Sequence, residues 1–90
     1  MARQRRRSTL YIGDKRWKVR RERISTHRGD CDITQRVIRA DERLQGEELL
    51  EVLAHEIIHA RLWDIDEQAV LELGQAIARA AANEGLIRED

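Results

Sequence analysis

Apolar and polar positions divide the chain into two halves of different rhythm. In the first, Leu10, Tyr11 and Ile12 form a β-prone run and Gly13-Asp14 reads as a tight turn. Beyond it, Trp17 and Val19 alternate with Lys18 and Arg20, so a hairpin is predicted whose second strand runs on towards Ile24. Ser25 to Asp32, with Gly29 and Asp30, reads as a loop. Ile33 to Ala40, with Thr34, Val37 and Ile38, reads as a third strand. Its charges Arg36 and Arg39 suit an exposed sheet edge.

The second half changes to helical spacing. After a polar connection from Asp41 to Gly46, a helix is predicted from about Glu47 to Leu62. Glu47 and Glu48 suit its positive N-terminus. Leu49, Leu50, Val52, Leu53, Ala54, Ile57, Ile58 and Ala60 make it apolar on nearly every side, so it should be largely buried. Asp64 has the character of the next N-cap, with Glu67 three residues on in capping-box position. The second helix presents Ala69, Val70, Leu73, Ala76, Ile77, Ala80 and Ala81 on one broad face and stops near Asn83, with Gly85 beyond. The expected fold class is α+β: a small antiparallel or mixed three-stranded sheet followed by two packed helices.

Composition narrows this picture. Ninety residues make one small domain, and phenylalanine is absent, so Leu, Ile, Val and Ala must supply the core. A core of that kind gains from a staple such as a bound metal. Cys31 is the only cysteine, which excludes an internal disulfide. No apolar run has the length of a membrane span or a signal peptide, and a cytoplasmic location is the default expectation.

The formal net charge of zero hides a segregation. Residues 1–28 hold 11 Lys/Arg against 2 acids, and residues 29–90 hold 6 Arg against 15 acids. The arginines from Arg3 to Arg7 precede any apolar pattern, so residues 1–8 are expected as a basic flexible tail and residues 9–90 as the domain. Such a terminus can contact nucleic acid or another polyanion, or complement the acidic half of its own fold.

The chemistry lies in the first helix. Between Val52 and Ala60 the only polar residues are His55, Glu56 and His59. Burying them among aliphatic side chains is costly unless something pairs them. A spacing of four places both imidazoles on one helix face, where they can share one metal ion. Glu56 is turned about a quarter turn away, placed to act as a general base on a water beside that metal. A zinc ion is therefore expected, with His55 and His59 as ligands and Glu56 as the catalytic carboxylate.

A catalytic zinc takes three protein ligands. The downstream candidates are Asp64, Asp66, Glu67 and Glu72. Glu67 opens the second helix and can turn back if the helices pack antiparallel. Its capping role competes for the same carboxylate, and the ligand role is favoured. Gly74, two turns on, would let the helices approach closely. Glu51, one turn before His55, is read as a solvent-facing charge rather than an imidazole partner. Cys31, His27 and Asp30 form a second polar cluster. Cys31 is read as a small buried thiol in preference to a latency device in which it or Asp30 blocks the zinc. Trp17 and Trp63 are read as core or interface residues rather than specificity elements.

The run His55-Glu56-Ile57-Ile58-His59-Ala60, then Leu62-Trp63-Asp64 and Glu67-Gln68-Ala69-Val70, resembles the small gluzincin-like metallopeptidases. In particular it is similar to zinc-peptidase domains of phage and prophage type, loosely akin to the SprT-like and ImmA/IrrE groups. The resemblance covers about residues 31–85. It implies a minimal zincin-like fold in which a second helix supplies the third ligand, here Glu67, just before an alanine. It also implies a sheet edge that receives an extended peptide, for which residues 34–40 are the expected counterpart. Two departures stand out. The interval from His59 to Glu67 is shorter than in most gluzincins. No downstream Tyr or His offers itself to a tetrahedral oxyanion, which leaves Tyr11, His27 or an arginine. The SprT-like relatives act on DNA-associated proteins, which by analogy gives the basic N-terminus a use.

The function expected from these readings is zinc-dependent peptide-bond hydrolysis. The alternative is a non-catalytic, zinc-stabilised binding module of phage structural or regulatory type, whose basic N-terminus contacts nucleic acid or a protein partner.

Overall fold

The computed structural model describes residues 7–87 and has the order β1 (Arg7–Ile12), β2 (Lys15–Glu22), β3 (Gly29–Asp32), β4 (Val37–Asp41), α1 (Gly46–Arg61) and α2 (Glu67–Asn83). It is an α+β fold with a four-stranded mixed sheet in the order β1-β2-β4-β3. β1 and β2 form the expected hairpin, closed by Gly13 and Asp14, with Gly13 at a φ of 63° that glycine adopts freely. Arg7 and Ser8 belong to β1 and not to a tail, and the rest of the expected tail lies outside the described residues.

The expected third strand over residues 33–40 is corrected. Residues 33–36 are a turn: Asp32 Oδ1 accepts the Gln35 N–H at 2.9 Å and Arg36 takes a positive φ of 56°. The strand lost there is recovered upstream. Gly29–Asp32, expected as loop, pairs antiparallel with β4. β4 pairs parallel with β2 on its other side, so residues 37–41 run through the middle of the sheet and the edges are β1 and β3. Ile38 and Ala40 have no exposed surface, as a central strand requires. Arg39 is not an outward edge charge, since it bonds Glu22 and Asp30 on the strands to either side.

One face of the sheet packs on α1. Trp17, Val19 and Ile38 are its buried centre, with Leu10, Ile12, Cys31, Leu53, Ile57 and Ala60 around them. Ala40, Leu44 and Val52 continue the core. Among the described elements α2 lies against α1 alone. The expectation of a largely buried α1 holds only in part. Val52 and Ala54 are buried and the other apolar residues are half-buried, because among the described elements only one sheet face and one helix cover it. On α2 the inward line is Val70, Gly74 and Ala78, while Leu73 and Ile77 of the expected broad face stay exposed. No helix among the described residues is long and apolar enough to cross a membrane.

Candidate metal centre

α1 and α2 are joined by residues 62–66 and run antiparallel. Glu67 meets the end of α1, Gly74 its middle, and Arg79 pairs with Glu47 near its start at 2.9 Å. Gly74 makes this approach close, as expected. A Cβ there would lie 3.2 Å from the Glu51 carbonyl oxygen and 3.5 Å from the His55 backbone nitrogen.

The expected N-cap at Asp64 is corrected by two residues. Asp66 is the cap, and its Oδ2 accepts the Ala69 N–H at 3.0 Å. Glu67 is therefore the first residue of α2, with its carboxylate free of capping. That carboxylate turns back to both histidines. Oε1 lies 3.0 Å from His55 Nε2 and Oε2 lies 3.0 Å from His59 Nε2. One ligand atom from each of His55, His59 and Glu67 falls within 4.8 Å of the others. The remaining third-ligand candidates are placed elsewhere: Asp66 caps α2, Glu72 accepts from Gln68 at 3.0 Å, and Asp64 is exposed outside the cluster.

The donor set fits zinc in its chemistry, two imidazole nitrogens and a carboxylate oxygen converging from two helices. The imidazole side chains are each 20% exposed and their ring centroids are 4.9 Å apart, while Glu67 is 72% exposed. Two half-buried imidazoles held against one solvent-side carboxylate form a site that is open on the Glu67 side.

Glu56 lies in the same cleft, half-buried and outside the cluster of three donors. Burial raises its carboxyl above the ordinary range, and the neighbouring imidazoles pull the other way. The cleft measures about 390 Å³ and its opposite wall is β3, through Gly29, Asp30 and Cys31, with Ile33 and Trp63 at its margins. Gly29 permits this closeness: a Cβ there would be 2.7 Å from both the Arg39 carbonyl oxygen and Val52 Cγ1.

Trp17 is core, as expected, whereas Trp63 is 67% exposed and flanks the cleft. Its apolar ring after the end of a helix gave no sequence signal separating a buried role from a cleft role. Glu51 pairs with Arg28 at 3.4 Å and not with an imidazole. Asp30 is engaged by Arg39 and His27, and Arg39 chiefly holds its carboxyl below the usual range. Cys31 is half-buried in the cleft wall, where burial and the nearby Glu56 push its thiol up to about 11, so it is protonated at neutral pH. Of the oxyanion candidates, Tyr11 and His27 do not line the cleft, and no arginine among the described residues does. His27 instead bridges Thr26 and Asp30.

Comparison with protein-family models, with curated proteins and with solved structures finds no match for this chain.

Proposed function

We propose that the protein is a zinc-dependent metallopeptidase whose metal is held by His55, His59 and Glu67 and whose general base is Glu56. The observation that carries this reading is the convergence of Glu67 on both histidines, 3.0 Å from each, with Glu56 in the same cleft. A zinc ion supplies Lewis acidity, making a water nucleophilic at neutral pH and polarising the carbonyl it attacks. Glu56 accepts the proton of the attacking water and delivers it to the amine that leaves.

The peptide is proposed to lie along β3, residues 29–32, in place of residues 34–40. β3 is a sheet edge, paired only with β4 among the described strands, and it forms the cleft wall facing Glu56. An extended peptide can add to such an edge through backbone hydrogen bonds.

Glu56→Gln tests the reading. The variant should keep about one zinc per chain, measured by elemental analysis of protein purified without added metal, and lose roughly 100- to 10,000-fold in peptide hydrolysis. Retained cleavage would remove Glu56 from the mechanism, and protein without zinc would remove the metal reading altogether.

One observation favours the second reading, a zinc-stabilised binding module. Ile38 and Val70 are the only large side chains fully buried among the described residues, so the core is thin and a metal staple would be useful to it. Under that reading the wild-type protein binds zinc and hydrolyses no peptide.

A further inference from the structure

The face of the sheet turned away from α1 is covered by no other element among the described residues. Alternation along β2 sends Trp17 and Val19 into the core and Arg16, Lys18 and Arg20 to this open face. The register places Tyr11, Thr9 and Arg7 of β1 directly beside them, in that order. Arg36, in the turn before β4, approaches from the other side, and its carbonyl accepts the Lys18 N–H at 3.0 Å.

These five cations form one band, and Arg16, Lys18 and Arg36 share a polar cleft of about 310 Å³ with Thr34 and Gln35. None of Arg7, Arg16, Lys18, Arg20 and Arg36 makes an ion pair among the described residues. Elsewhere Arg28, Arg39, Arg43 and Arg79 all pair with carboxylates. Arg7 stands directly opposite Arg20 across the hairpin, a like-charge pairing that costs the isolated sheet stability. A polyanion would relieve that repulsion.

Within the band, Tyr11 is 69% exposed and sits opposite Arg16. An exposed aromatic ring among cations on an open sheet face is the combination that single-stranded nucleic acids use. Phosphates meet the charges and an unpaired base stacks on the ring. A duplex offers no free base face and an acidic peptide offers none at all. We propose that the open sheet face binds single-stranded nucleic acid, with Arg7, Arg16, Lys18, Arg20 and Arg36 on the phosphates and Tyr11 stacked on a base. Cations two apart on β2 are roughly 6–7 Å from one another, so each can serve a separate phosphate. This surface is independent of the metal centre and does not rest on the peptidase reading.

Fluorescence anisotropy with a labelled oligothymidine, against a duplex of equal length and polyglutamate as competitors, tests the proposal on the full chain. Binding should weaken with salt with a log–log slope approaching about −3.5, five phosphates at about −0.7 each. Tyr11→Ala should weaken it by about 5- to 150-fold. The combined Arg16→Glu, Lys18→Glu and Arg20→Glu variant should abolish it, with circular dichroism checking the fold; Lys18→Gln alone gives a smaller loss if the triple variant does not fold. Glu72→Gln, on α2 away from the sheet, should leave binding intact. The proposal is overturned if oligothymidine does not bind, or if duplex or polyglutamate competes equally well. It is also overturned if binding survives the sheet substitutions yet disappears with Arg3→Gln, Arg5→Gln and Arg6→Gln, because the terminus would then be the ligand site.

Discussion

At the scale of single residues, the candidate centre depends on two neighbouring acids having different tasks. Asp66 holds the Ala69 N–H, and Glu67, one position later, faces the two imidazoles. Replacing each by alanine should separate the tasks. Asp66→Ala should cost about 0.5–2 kcal/mol in thermal stability and leave zinc affinity nearly unchanged. Glu67→Ala, at an exposed position that caps nothing, should cost apo stability little. Its zinc affinity should fall by more than the roughly 10- to 100-fold lost with a residue that merely orients a ligand. Competition with a chromophoric chelator reads the second effect, and equal zinc losses in the two variants would refute the division. The motif His55-Glu56-His59 was legible because its spacing is fixed by the helix itself. The cap was not, because Asp64 and Asp66 are both competent side chains before the same apolar run. Only the backbone path of residues 62–66 chooses between them.

At the scale of elements, both helices were readable from their spacing, and so was the β1–β2 hairpin. β3 was hidden because Gly29, Asp30 and Asp32 are residues of turns and Cys31 alone gives no apolar alternation to mark a strand. Its pairing comes from tertiary demands: Cys31 faces the core, Asp30 meets Arg39, and Gly29 lets the strand pass close over α1. Residues 33–40 misled in the opposite sense, since Ile33 and Thr34 are β-prone but Asp32 and Arg36 close a turn around them. The close passage of β3 can be tested with Gly29→Ala. The added carbon would meet a backbone oxygen at 2.7 Å, so the strand must move, at about 1–3 kcal/mol in urea denaturation. Zinc binding should persist, because α1 and α2 carry all three donors. An unchanged urea midpoint would mean that the strand is not held tightly there.

At the scale of the whole molecule, acid tolerance should be set largely by Asp41, the buried carboxylate at the end of β4. The Arg43 side chain and backbone N–H bond it, at 2.9 Å each for Nε and N, and hold its carboxyl well below the usual range. The stabilisation is complete above the unfolded value of about 3.9 and is lost as pH falls towards the folded one. Asp41→Asn should therefore melt below the parent at pH 7, and the gap should narrow as the pH drops below about 4. A gap independent of pH would exclude the ionised carboxylate as its source. The charge segregation visible in the sequence also gains a direction from the fold. α1 and α2 carry Glu47, Glu48, Glu51, Glu56, Glu67 and Glu72 against Arg61 and Arg79, while the open sheet face carries the unpaired cations. A chain with no net charge thus acts as an electric dipole. It exerts little pull beyond a Debye length of about 8 Å, yet it turns at close range. Against any negatively charged surface it would settle sheet first, with the helices uppermost and the cleft between β3 and α1 clear of that surface.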